Sequence, residues 1–77
     1  MLKEELEAKL NDVIKDWEQK AGKVTDIWLS AELLDILDTR GPMARVLEPY
    51  KIQDTFVTSS QELQGNNIRI AFLSELI

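Results

Sequence analysis

Apolar side chains in the first part of the chain fall at Leu2, Leu6, Leu10, Val13, Ile14, Trp17 and Ala21. Steps of three and four place them on one stripe of a helix, so the spacing predicts an amphipathic helix from Leu2 to Ala21 with that stripe, Trp17 included, facing a core. The charges agree with that direction. Glu4, Glu5 and Glu7 lie at the positive end of the helix dipole and Lys20 at the negative end, and Glu5/Lys9 and Asp16/Lys20 are favourably ordered pairs one turn apart. Gly22 stands where a left-handed C-cap is wanted.

After Gly22 the rhythm changes. The run VTDIWLSAELLDIL, Val24 to Leu37, can be drawn as one helix or as a strand that becomes a helix at its serine. Val24, Ile27, Trp28 and Leu29 do not continue the first stripe, and a cluster of β-branched and aromatic residues reads as a strand. Ser30 then offers a side-chain oxygen to the free N–H groups of a new helix, with Glu32 in its first turn. Leu33, Leu34 and Leu37 form the inner face of that helix and Ile36 its margin. Gly41-Pro42 ends it, because proline lacks a donor and disfavours helix in the residue before it.

Pro42 can itself open a short helical turn, Met43 to Leu47, closed by Pro49. From Tyr50 to Val57 the residues alternate, with Tyr50, Ile52 and Phe56 on one side and Val57 on the other, which predicts one strand. The sequence Ser59-Ser-Gln-Glu62 has the form of a capping box, but Gly65 limits it to a single turn. Ile68 to Leu73 predicts the last strand, with Ile68, Ile70 and Phe72 sharing a face. The expected fold is α+β, one domain over residues 1–77 in the order α-β-α-(short turn)-β-β. It has two main helices on a small single-layer three-stranded sheet. The two later strands are expected to pair as an antiparallel hairpin with a long loop, and the first to join through its helix, right-handed if that crossover is parallel.

This sheet has apolar side chains on both faces. Trp28 opposes Ile27 and Leu29, Ala71 and Leu73 oppose Ile68, Ile70 and Phe72, and Val57 opposes Phe56. Either the two helices cover opposite faces, or both cover one. In the second case Trp28, Val57, Ala71 and Leu73 form a contact surface, to which the apolar Leu76-Ile77 adds. Met43, with Val46 and Leu47 in the proline-bounded turn, offers a further surface.

Composition narrows the chemistry. Seventy-seven residues bury only roughly 60% of the surface the unfolded chain exposes, so the core is thin. With no cysteine and no histidine there is no disulfide and no plausible zinc ligand set, and Ser-His-Asp triads, Cys-His pairs and histidine acid–base chemistry are excluded. Glu32, Asp35 and Asp38 could hold a hard cation in principle, but no glycine-containing loop surrounds them. The expectation is a solvated face. Three widely spaced glycines make no phosphate loop, and Thr58, Ser59 and Ser60 read as cap and turn residues. No catalytic, cofactor-binding or metal-binding residue is therefore assigned, and the reading is non-enzymatic.

The net charge of -5, with nine basic residues scattered along the chain, lacks the concentrated positive field that a nucleic acid requires. No apolar run is long enough to span a membrane, and the acidic amino terminus has no secretory h-region; a cytoplasmic protein is expected.

The capped helix running to Gly41, followed by the strand entry Leu63-Gln-Gly65-Asn-Asn-Ile-Arg-Ile70, is similar in order to the peripheral domain of tailed-phage major capsid proteins. By analogy that resemblance implies a phage-borne or assembly-related role. The leading expectation is a protein-interaction or assembly module, with self-association into a homodimer as one form, that buries an apolar sheet face rimmed by acidic residues. Two alternatives stand beside it. One is an acidic inhibitor from a phage or mobile element that masks a basic groove on a nucleic-acid enzyme. The other is an accessory subunit of a larger enzyme or phage structural assembly.

Overall fold

The computed structural model describes residues 2–72. Helix α1 (Lys3–Lys20) leads into strand β1 (Val24–Leu29), then helices α2 (Ala31–Leu37) and α3 (Pro42–Leu47), and strands β2 (Tyr50–Ile52), β3 (Thr55–Ser59) and β4 (Arg69–Phe72). The class is α+β. The sheet has four strands where three were expected, in the order β2-β3-β1-β4.

The extra strand comes from the Tyr50–Val57 run, which folds back on itself. Ile52 pairs with Thr55, leaving Gln53 and Asp54 as a two-residue turn between antiparallel strands. Gln53 takes a positive φ of 56°, as a tight hairpin demands of its first central residue in primed turns. The turn reverses the facing of everything after it. Val57, expected on the outer face, lies in register with Ile27 and is buried under the helices, while Phe56 takes the outer position.

Strand β3 then runs parallel to β1, with Asp26 opposite Phe56 and Trp28 opposite Thr58. The expected hairpin between the two later strands does not form. β4 pairs antiparallel with β1 on its other side, placing Ile70 opposite Ile27 and Arg69 opposite Trp28. A bulge between Val24 and Asp26 bends the start of β1. The Thr25 hydroxyl donates there to the Ala71 carbonyl (3.3 Å), and the buried Thr55 hydroxyl donates to the Val24 carbonyl (3.0 Å).

Ser30 is the switch from strand to helix. Its backbone is extended, and its side-chain oxygen accepts from the Leu33 N–H (3.3 Å), capping α2. The same hydroxyl donates to the Gly65 carbonyl (2.9 Å). The segment from Ser60 to Ile68 must carry the chain from β3 across the end of β1 to β4. It is held at two points, by Ser30 and by the Ser60 N–H donating to the Leu29 carbonyl (2.8 Å). The expected capping box resolves into a turn capped by Ser60 rather than Ser59, with the Glu62 N–H donating to the Ser60 hydroxyl (3.3 Å).

One cluster forms the core. Leu6, Leu10 and Ile14 of α1 and Leu33, Leu34 and Leu37 of α2 pack on Val24, Ile27, Leu29, Ile52 and Val57 of the sheet. Both main helices therefore cover the same face. At 18 residues α1 is roughly 27 Å long, whereas the longest strand has 6 residues and spans roughly 20 Å. The helix overhangs its sheet. Leu2 is exposed for that reason, and Trp17, expected as core filling, is half-exposed and rests against Phe72 with the rings tilted by 53° and their centroids 5.1 Å apart.

Ser30→Ala removes the cap and the tie to Gly65 together, so it is expected to cost about 1–2 kcal/mol in urea unfolding. At the hairpin, Gln53→Gly is expected to be tolerated. Gln53→Val, β-branched at a positive φ, is expected to lose about 1 kcal/mol in the same measurement.

Candidate functional site

With α1 and α2 on one side, the other face of the sheet has no helix over it among the described residues. Register assigns it Trp28 and Asp26 from β1, Phe56 and Thr58 from β3, Lys51 from β2, and Arg69 and Ala71 from β4. Trp28 and Ala71 are half-buried and Phe56 is half-exposed. The two aromatic rings stand on the two central strands as diagonal neighbours, close enough for large side chains to meet.

Of the expected contact residues, the structure brings Trp28 and Ala71 together on this face. Val57 is on the opposite one, and Leu73 lies outside the described residues, as does Leu76-Ile77. Met43 is elsewhere, on α3. The expected acidic rim is also revised. The outer strands contribute cations, Lys51 with its ammonium 4.6 Å from the centre of the Phe56 ring and Arg69 paired to Glu62 at 3.2 Å, while the acid, Asp26, sits on a central strand.

A second feature borders this face. The α2 helix ends at Asp38, whose carboxylate was expected on a solvated surface and is instead only 2% exposed. Its oxygens accept from Arg40 Nε (2.9 Å) and Nη2 (3.0 Å), from the Arg40 backbone N–H (3.1 Å) and from Arg45 Nε (3.3 Å). Arg45 reaches on to the Asp38 carbonyl (2.8 Å) and to the Asp35 carboxylate (2.9 Å), and Arg40 donates to the Glu48 carbonyl (2.9 Å). The network ties both ends of α3 to the end of α2. The Arg40 side-chain hydrogen bonds hold the Asp38 carboxyl down to about 2, against the opposing effect of its burial, and the Arg40 backbone bond and the charges of both arginines add to this. Burial beside Glu7 and Asp38 raises the Tyr50 phenol, partly offset by the Arg40 charge stacked near its ring.

Guanidinium groups thus occupy the oxygens of Asp38 and engage Asp35, which leaves Glu32 without the partners of the hypothetical cation set. Among the described residues no group of three acidic side chains is arranged to hold a metal ion, and no helix is long and apolar enough to cross a membrane.

On α3, Met43, Val46 and Leu47 are 78%, 81% and 83% exposed. Leu47 and Phe56 line one depression of about 490 Å³ with Arg40, Tyr50 and Lys51, so the helix adjoins the uncovered sheet face. Comparison with known proteins adds no relative: no family model, curated protein or solved structure matches the chain. The likeness in element order to capsid peripheral domains gains nothing from them.

Because the Asp38 pKa is lowered on folding, the stability it contributes is complete above about pH 4 and is lost as pH falls through about 2. The contribution is on the order of 1–2 kcal/mol once screening of the partly exposed arginines is allowed for. Asp38→Ala leaves both arginines without their shared acceptor and is expected to cost about 2–3 kcal/mol at neutral pH, with a flatter acid limb in the stability profile.

Proposed function

We propose that this protein is a non-enzymatic interaction module that works by docking the uncovered face of its sheet on another protein surface. One observation carries the reading: both main helices pack on the Ile27/Val57 face, leaving Trp28 and Phe56 on a face that no other described element covers. A tryptophan and a phenylalanine on adjacent central strands form the kind of rigid aromatic centre that dominates protein contacts. Lys51, Arg69 and Asp26 around them supply polar groups that fix orientation.

A catalytic reading has less support. The chain has no histidine or cysteine, its most perturbed carboxylate is locked to two arginines, and among the described residues no metal-binding cluster of carboxylates accompanies it. The acidic-inhibitor alternative fits the uncovered face poorly, because that face carries two cations against one acid.

Trp28→Asp tests the reading. In extract from the native host the wild-type chain is expected to elute well above its 8.8 kDa mass, while the variant, with unchanged far-UV circular dichroism, elutes as the free chain. Identical elution of the two, or global unfolding of the variant, assigns Trp28 to the fold and ends the proposal.

A further inference from the structure

Helix α3 is assembled inside out. None of its six residues is buried. Met43, Val46 and Leu47, three and four positions apart, form one ridge and rank among the most exposed large apolar side chains described. The residues that α3 turns toward the rest of the protein are the small Ala44, half-buried, and the charged Arg45, with only 20% of its side chain exposed and bound to Asp38 and Asp35. Hydrophobic burial therefore does not hold this helix in place. Its position rests on the ion network and on Pro42 at its first turn. A helix of six residues is unstable alone in water, so fixing one with ion pairs on the buried Asp38 carboxylate while three large apolar groups face outward makes a presenting element rather than a packing one.

What the ridge contacts follows from its neighbourhood. Leu47 and Phe56 share a depression, so the Leu47 end of the ridge adjoins the uncovered sheet face, while Val46 borders a second depression with Leu34, Tyr50, Val57 and Thr58. Surfaces that adjoin in this way can be exchanged by a two-fold axis, each copy laying its ridge on the other's sheet. Area favours the combination. A face of four short strands amounts to roughly 300 Å² from strand spacing and rise, well short of the approximately 800 Å² per partner typical of a stable complex. The ridge adds several hundred Å² more of exposed apolar surface. The charges of the face are self-complementary, since Lys51, which lines the same depression as Leu47, can meet Asp26 on the central strand of the other copy.

Resting on the reading that the uncovered face is a contact surface, we propose that the partner is a second copy of this chain, and that Met43, Val46 and Leu47 of each copy dock on the Trp28/Phe56 face of the other. Multi-angle light scattering on the purified protein decides it. The wild type is expected at twice 8.8 kDa at high micromolar concentration. Val46→Asp and Leu47→Asp, at exposed positions, are expected to keep the circular dichroism spectrum and to weaken dimerisation roughly 30-fold or more. A monomeric wild type overturns the second-copy proposal and leaves the docking reading to the Trp28→Asp elution test. A dimer broken by Trp28→Asp but unmoved by both α3 variants overturns the role of the ridge alone. A dimer broken by the α3 variants but not by Trp28→Asp overturns both the ridge-on-sheet geometry and the reading on which it rests.

Discussion

The hydroxyl of Ser30 is the point on which the topology turns. It accepts from Leu33 and thereby starts α2, and it donates to Gly65 and thereby fixes the loop that crosses the end of β1. Without the first bond the chain has less reason to leave the strand after Leu29. Without the second, the crossing loop loses one of its two anchors and β4 its placement beside β1. One buried side chain thus joins two decisions 35 residues apart in sequence, and the sheet order β2-β3-β1-β4 depends on both.

The rest of the architecture shows how a short chain supplements a thin core. Eleven apolar residues make up the buried cluster, and around it the polar groups are placed so that, among the described residues, no buried side-chain nitrogen or oxygen is left without a partner. Thr55 on Val24 ties the two central strands at the floor of the core, while Ser30 on Gly65 and Asp38 on its arginines hold segments that contribute no residue to the apolar cluster. Such bonds are modest individually, but an unpaired buried group is costly, so they specify one arrangement more than they deepen its stability. The Asp38 network has the further effect of orienting α3, which has no buried residue of its own.

Much of this was legible in the sequence, because several signals were local. The glycine after α1, the β-rich run before Ser30, the cap, the Gly-Pro stop and the proline-opened turn each act within a few residues, and the elements fall where these signals place them. What was not legible depended on distant partners or on an atypical residue. Gln53 and Asp54 include no glycine or asparagine, so the hairpin turn was hidden inside an apparently continuous alternation; one missed turn then reversed Val57 and Phe56. Asp38 read as a surface acid because Arg40, two positions on, is not at a one-turn spacing and Arg45, seven positions on, lies beyond the Gly41-Pro42 break in a different helix. Trp17 followed the stripe faithfully, but no periodicity says that a helix is longer than the sheet beneath it. Of the proposed surface, Trp28 and Ala71 were legible from strand alternation, Phe56 was not, and the basic side chains beside them emerged only with the register.

The central parallel pair has a kinetic consequence. Ile27 and Val57, at the middle of the core, are neighbours across β1 and β3 but are separated by the entire α2–α3–β2 segment. The entropy of closing that long loop must be met before the pairing returns any stability. The β2–β3 hairpin, by contrast, closes over two residues and can form within microseconds. The hairpin can therefore form before β1 finds its neighbour, which leaves the unpaired backbone N–H and C=O groups along that edge of β3 open to any other strand in the meantime.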